Sequence, residues 1–361
     1  MKKVLFMVNR DFVLYNFRIE LVEALLKEKY EVYICLPYGE KVELMTAMGC
    51  KFLPVTIDKR GTNPFRDLKL IKEYKKIFQE IKPDMILTYT TKVNIYAGIL
   101  AGRMKLPYLM NISGLGTAVE YESLLQKVML FMYKMAAKNA KCLFFQNTEN
   151  LMFFKKHHMY NGEWTLLPGS GVNVERFHLM DYPEETDGIH FLFIARVIKE
   201  KGIEEYLAAA KVIKKEYPQA YFHVLGPCDG AYENMLKEYE EQKIIQYHGM
   251  IQDTREFLAK SHCTIHPSYY PEGMSNVCLE SAACGRPVIT TDRSGCRETV
   301  EDGGTGYIFP QKDREALIEK IRTFLELGYA DRKKMGLAGR QKMVEEFDRR
   351  IVVEEYRKEI E

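Results

Sequence analysis

At 361 residues the chain is too long for one ordinary core and suits two α/β domains of comparable size. Hydrophobic residues make up 47% and charged residues 28%, with no low-complexity tract, which excludes a disordered or fibrous protein. Net charge is only +2, but residues 1–170 hold 25 Lys/Arg against 16 Asp/Glu and the remainder 27 against 34, so a basic front half is joined to an acidic rear half.

The opening MKKVLFMVNR stops its apolar run at Asn9 and Arg10 and offers no cleavage site, so it predicts a first β-strand rather than a signal peptide. Helix-period segments then alternate with short apolar runs: Phe17 to Lys29, VYICL, Val42 to Met48, FLPV, Leu68 to Ile81, DMILTY, PYLMNI and CLFFQN. Strand and helix in alternation imply a parallel sheet with helices on both faces. Within this half, Pro64 to Lys82 concentrates Arg66, Lys69, Lys72, Lys75, Lys76 and Lys82, a density suited to an anionic surface or substrate. Asp67, Glu73 and Glu80 compensate part of it, as on an ordinary solvated helix face.

The most apolar long segment, Leu124 to Ala137, carries Lys127 and Lys134 and is too short to cross a bilayer. Its FMYKMAAK, together with LMFFKKHH further on, fits either an ordinary buried helix or a segment resting at a membrane interface with its lysines at the headgroups.

Around Leu166 to Phe177 the pattern breaks into LLPGSGVNVERF, an interdomain connection. A second alternating series follows: HFLFIARV, Ile203 to Tyr217, YFHVLG, Tyr232 to Gln242, IIQYHG, Thr254 to Lys260, CTIHPS, a helix after Ser275, and PVITTD. The last helical stretch, Arg332 to Glu361, is broken at Phe347-Asp348, and its end is expected to pack back on the front domain. The expected division is residues 1–168 with 346–361, and residues 169–345. Both domains are expected to be doubly wound, with active sites beyond the carboxyl ends of the strands and so in a cleft where the domains face each other.

The eight cysteines form no CxxC pair and no zinc-like spacing with histidine, and read as buried thiols of a reducing, cytoplasmic compartment. His157-His158 are adjacent and the other histidines dispersed, which argues against a metal hydrolase, and the basic excess carries no nucleic-acid-binding motif.

The most informative stretch is Pro271 to Pro287, PEGMSNVCLESAACGRP. It follows the strand CTIHPS, begins a helix near Ser275 and ends it at Gly285 and Pro287. At about 1.5 Å per residue, Glu280 lies less than ~10 Å along the helix, so that it and Glu272 can reach one small ligand. The backbone N–H groups of Gly273, Met274, Ser275 and Asn276 stand at a helix N-terminus, where unpaired donors and the dipole favour an anion. A diphosphate flanked by hydroxyl-bearing groups, as in a nucleotide sugar, suits two acids around an anion site. The alternative is an acid helping the helix dipole and a second facing solvent. Arg196 at the end of HFLFIARV, with Lys201-Gly202 five residues on, would supply cations for the diphosphate.

The run EGMSNVCLE with its paired glutamates, the downstream ACGRPVITTD and DGGTGYIFP, the Arg196/Lys201 pair and LGPCDG resemble the donor half of retaining glycosyltransferases of family 4. The resemblance implies a GT-B fold, two Rossmann-like domains facing a central cleft, and transfer without a metal or other cofactor, in keeping with the lack of a DxD motif. It assigns Glu280 to the ribose, Glu272 to the sugar, Arg196 and Lys201 to the diphosphate, and backbone near Gly226 and Gly249, Met250 and Ile251 to the base.

In the front half YNFR (Tyr15 to Arg18), Asn63-Pro64-Phe65, TTKVNIYAGILA and SGLGTA are similar to bacterial members that extend polyprenyl-diphosphate-linked glycans with hexoses or N-acetylhexosamines. Many of these place a histidine after the corresponding strand, whereas Asn111-Ile112-Ser113-Gly114 has none. The acceptor-side candidates are therefore Asn16, Lys92, Asn94, Ser113, Gly114 and Gly116.

The expected partners are a nucleotide sugar, for which the resemblance favours UDP, a lipid-linked acceptor and peripheral contact with the cytoplasmic membrane face. A nucleotide-sugar epimerase of the same architecture would turn over donor without acceptor. A non-catalytic sugar-nucleotide-binding subunit would bind donor and neither hydrolyse nor transfer it.

Overall fold

The computed structural model describes residues 1–58, 64–114, 123–228 and 230–361. The chain forms two compact units, one of Met1–Gly171, Glu272–Met274 and Arg349–Glu361, the other of Val172–Pro271 and Ser275–Asp348. The turn of chain from one unit to the next thus falls at Gly171 rather than 168, the returning tail starts at Arg349 rather than 346, and the tripeptide Glu272–Met274 groups with the first unit.

The first unit contains β1 (Lys3–Met7), α1 (Asp11–Lys27), β2 (Glu31–Leu36), α2 (Lys41–Ala47), β3 (Lys51–Pro54), α3 (Pro64–Ile81), β4 (Met85–Tyr89) and α4 (Thr91–Met104). It continues with β5 (Tyr108–Ile112), α5 (Leu124–Ala137), β6 (Cys142–Phe145), α6 (Thr148–Lys156) and β7 (Glu163–Leu166). The strands pair in parallel in the order β3-β2-β1-β4-β5-β6-β7. A parallel sheet covered on both faces needs apolar residues in both phases of each strand, and β1 supplies them: Leu5 and Met7 enter one core, Val4 and Phe6 the other. The second core also takes Val352, Val353, Tyr356 and Ile360 of the last helix.

The second unit holds β8 (Ile189–Ile194), α7 (Ile203–Glu216), β9 (Ala220–Leu225), α8 (Glu233–Glu241), β10 (Gln246–Tyr247), α9 (Arg255–Lys260), β11 (Cys263–His266), α10 (Asn276–Ala283), β12 (Val288–Thr291), β13 (Gly306–Phe309), α11 (Arg314–Glu326) and α12 (Tyr329–Glu346). The tail returns as α13 (Arg349–Ile360). The sheet order is β10-β9-β8-β11-β12-β13, again parallel. Each sheet therefore has one place where the winding reverses, between β1 and β4 and between β8 and β11. In doubly wound sheets ligands bind beyond the carboxyl ends of the strands at that point.

Candidate active site

Arg196 and Lys201 follow β8, and Ser275, Asn276 and Glu280 follow β11, so the second unit brings these two groups to either side of its reversal point. The loops interlock: the Tyr269 N–H donates to Glu200 O at 2.9 Å, and a Cβ on Gly202, whose φ is +76°, would collide with Pro267 O. Only glycine combines that left-handed backbone with so close an approach.

Lys201 is half-buried. Burial pushes its amine down to about 8, the Arg196 charge acting in the same direction. Its Nζ stands 5.1 Å from the ring centroid of Tyr270, and the Arg196 guanidinium carbon 5.6 Å from the same centroid. Two cations beside one aromatic ring repel each other and are attracted to the ring, so an anion arriving there gains from both.

At the end of β11, His266 is buried, and neither ring nitrogen has a hydrogen-bond partner among the described residues. Burial first, and the Lys201 charge second, hold it down to about 3, so it stays neutral.

Helix α10 starts as its sequence requires. Ser275 is the N-cap, in extended backbone, with its hydroxyl accepting the Cys278 N–H at 3.4 Å. Glu280 is half-buried one turn further on, and the helix stops at Gly285, φ +76°. Gly226 and Gly249 are joined, the Gly226 N–H donating to Gly249 O at 2.8 Å. Gly226 has φ +139°, and a Cβ there would run into Ala195 O. Met250 is 71% exposed beside them and Ile251 half-buried. Loops after four adjacent strands thus converge on one edge of the second sheet.

In the first unit the candidates divide. Asn16 is exposed on α1, where its carbonyl accepts from Arg349 Nη1 at 2.9 Å. Lys92 is half-buried, paired with Asp67 at 2.6 Å and donating to Asp58 O at 2.9 Å. Asn94 is 1% exposed and its Nδ2 donates to Asn111 O at 2.8 Å, so it braces β5 from inside instead of meeting a ligand at the surface. Ser113 and Gly114 are half-buried after β5. Gly116 lies outside the described residues, as do Asn63 of the NPF motif and Asp229 of LGPCDG.

Glu272 is half-buried, and the carbonyls of Glu272 and Gly273 accept from Asn147 Nδ2 at 3.0 and 2.6 Å. Asn111 of β5 is a buried hub, its Nδ2 donating to Tyr356 Oη at 2.7 Å and its Oδ1 accepting from Gln146 Nε2 at 3.0 Å.

Sequence reasoning missed Tyr270, His266 and Asn147, and it missed Thr90. Thr90 closes β4 with φ 71° and ψ 146°, backbone that a β-branched residue adopts only at a cost of order 1–3 kcal/mol. It marks the β1/β4 reversal point. Among the described residues no group of three or more His, Cys, Asp or Glu side chains gathers where it could hold a metal.

Two parallel Rossmann-like sheets, with cations and a helix N-terminus converging on the reversal point of the second, define the architecture of the GT-B glycosyltransferases. Residues 3–147 match the family described as "Glycosyl transferase 4-like" and residues 177–342 the family described as "Glycosyl transferases group 1"; the chain belongs to these glycosyltransferases. It is 26% identical, over 89% of both chains, to the N,N'-diacetylbacillosaminyl-diphospho-undecaprenol alpha-1,3-N-acetylgalactosaminyltransferase of Campylobacter jejuni. It is 25% identical, over 92% of this chain and 90% of the other, to the capsular polysaccharide biosynthesis glycosyltransferase CapM of Staphylococcus aureus. The Anabaena protein HepE, solved in complex with UDP and glucose, shares the fold at a TM-score of 0.78 and 15% identity, over 99% of both chains.

Proposed function

We propose that this glycosyltransferase moves a hexose or N-acetylhexosamine from a UDP-sugar to a glycan carried on a polyprenyl diphosphate, in the synthesis of cell-surface polysaccharide or glycoconjugate, with retention and without a metal. The observation that carries the reading is the Lys201 amine, shifted down to about 8 beside Arg196, Tyr270 and the N-terminus of α10. A diphosphate is the anion that such a cluster suits. The Campylobacter relative, by its name, acts on a diphospho-undecaprenol acceptor, and HepE was solved with UDP, which supports the choice of both substrates.

In this reading Glu280 holds the ribose, Glu272 the sugar hydroxyls, and backbone at Gly226 and Gly249 to Ile251 the base. The acceptor oxygen forms its bond to the anomeric carbon on the face from which the β-phosphate oxygen departs, and the acceptor proton passes to that oxygen. Arg196 and Lys201 stabilise the charge growing on the leaving group. Positioning and preorganised electrostatics supply most of the rate. Asn16, Lys92, Ser113, Gly114 and Gly116 remain the acceptor-side candidates.

A peripheral membrane position belongs to the same reading. No helix among the described residues is long and apolar enough to cross a membrane. The exposed face of α5 carries Leu124, Val128, Phe131 and Met135 with Lys127 and Lys134 alongside, and the helix has no carboxylate, a composition that favours an anionic lipid surface.

The test is a panel of nucleotide sugars offered with a polyprenyl-diphosphate glycan, following release of nucleoside diphosphate with and without EDTA. We expect acceptor-dependent release from a UDP-sugar that EDTA leaves intact, lowered at least about tenfold in Glu280→Ala and Lys201→Ala. Undiminished turnover in both variants would remove the site assignment, and turnover without acceptor to an epimeric sugar would replace the reaction.

A further inference from the structure

The segment Glu272-Gly273-Met274 carries the first of the paired glutamates, and the first unit holds its backbone at successive residues. Asn147 is the N-cap of α6, in extended backbone at φ −154° and ψ 161°, with its Oδ1 accepting the Asn150 N–H at 2.8 Å. A carboxamide whose oxygen is committed to the helix turns its NH₂ the other way. That group donates to Glu272 O at 3.0 Å and to Gly273 O at 2.6 Å, and the residue is 3% exposed. The opposite amide orientation would set oxygen against two carbonyl oxygens and NH₂ against an N–H, so the network fixes which atom is which.

The neighbouring contacts leave the segment no room. A Cβ on Gly273 would collide with Ser113 O and Gln146 Oε1. Gln146 is itself held, its Nε2 donating to Asn111 Oδ1 at 3.0 Å. Met274 is buried, its side chain filling the space that a Cβ on Gly169, φ +65°, would need.

The geometry points to Asn147 as a positioning residue for glycosyl transfer: its amide fixes the backbone from which Glu272 projects. The catalytic consequence rests on the transfer reading above; the clamp itself does not. Of the good N-cap residues only asparagine can both cap α6 and donate to two carbonyls. Aspartate caps equally well but opposes both carbonyls with a carboxylate oxygen. Asn147→Asp therefore separates the clamp from the cap, whereas Asn147→Ala removes both.

The experiment compares the full chain with Asn147→Asp, Asn147→Ala and Gly273→Ala by hydrogen exchange of peptides covering residues 147–156 and 270–276, and by steady-state kinetics with the active donor. For Asn147→Asp we expect α6 amides to exchange as in the parent and amides of 270–276 at least about tenfold faster. We expect kcat to fall about 10- to 100-fold while donor KM changes less than about threefold. Gly273→Ala should give the same kinetic pattern with Asn147 intact, and Asn147→Ala should also speed exchange in α6.

Unchanged exchange at 270–276 in both Asn147→Asp and Gly273→Ala would overturn the clamp whatever the activity. Faster exchange with undiminished kcat would overturn the positioning role. A parent chain that turns over no nucleotide sugar would sink the transfer reading, and the exchange comparison would still decide the clamp.

Discussion

Burial holds the Lys201 amine near 8, below the ordinary lysine value near 10.4 that the unfolded chain restores. Below about pH 8 both states carry the proton, and the folded state bears the whole cost of a poorly solvated cation. As pH rises above that value the folded state sheds the proton first, and the cost shrinks. Replacing the amine by an apolar side chain of similar length removes the cost altogether. Lys201→Met should therefore melt a few degrees higher at pH 7, at about 2–4 °C for each kcal/mol regained, while donor turnover falls at least about tenfold. A lower melting temperature would mean that the amine stabilises the empty fold. Donor kcat/KM of the parent chain should decline as pH rises past about 8, where the empty site loses its mobile cation.

Among the elements, α5 is one whose sequence left two readings open, and burial separates its faces. Tyr133, Ala136 and Ala137 are buried in the first core, while Leu124 is 79% and Phe131 64% exposed. Leu124, Val128, Phe131 and Met135 recur every three or four residues, so they lie along one line of the helix. Apolar periodicity alone could not tell one helix face from the other, because both are apolar. Inserting Phe131 into lipid is worth roughly 1.5–3 kcal/mol, and each lysine near an anionic surface about 1 kcal/mol. Phe131→Glu should cut co-sedimentation with vesicles containing anionic lipid by at least about tenfold without moving the melting temperature, because its site is exposed. Equal sedimentation of variant and parent would count against the membrane contact.

At the scale of the whole chain, the second sheet carries a row of histidines. His190 Nδ1 faces His223 Nε2 at 2.9 Å, His223 Nδ1 faces His248 Nε2 at 3.1 Å, and His262 Nδ1 accepts the His190 backbone N–H at 3.0 Å. Burial pushes His223 and His262 down to about 4 and lowers His190 and His248. Asp187 opposes the shift at His190 and Glu240 at His248; Lys214 adds to it at His190, and Arg332 and Arg286 at His262.

The folded values lie below the unfolded value near 6.5, so stability is full above that pH and is lost as pH falls toward about 4, where only the unfolded chain takes up protons readily. The melting temperature should drop by roughly 10 °C or more between pH 7 and pH 4.5. His223→Gln should flatten that slope, and an unchanged slope would show that carboxylates carry the acid response.

The strand and helix order was legible for the central strands because they are apolar in both phases, whereas β7, β13, α4 and α11 were not read, and β7 is a largely exposed edge strand without that signal. The placement of Arg196 and Lys201 after β8, and of Ser275 and Glu280 after β11, was legible because each follows a recognisable strand at short spacing. Asn147 was missed, since the carbonyls it holds lie 125 and 126 residues away. Tyr270 and His266 gave no signal, for a lone aromatic or histidine at a strand end is ordinary until the fold sets a buried amine beside it. The candidate Asn94 failed for the opposite reason: a polar residue near a loop looks available until its burial is known.

The last helix was expected to return to the first unit, and α13 lies in that unit's core. Gly171 and Arg349 are neighbours there, with Gly171 O accepting from Arg349 Nη2 at 3.1 Å, and Val172 and Asp348 form a parallel bridge in the second unit. Apart from Glu272–Met274, which belongs to the first unit, the span Val172–Asp348 is thus an insertion whose two ends emerge side by side. Such a module can be excised or exchanged as a cassette: a short linker from Gly171 to Arg349 would leave every strand of the first sheet and α13 in one uninterrupted chain.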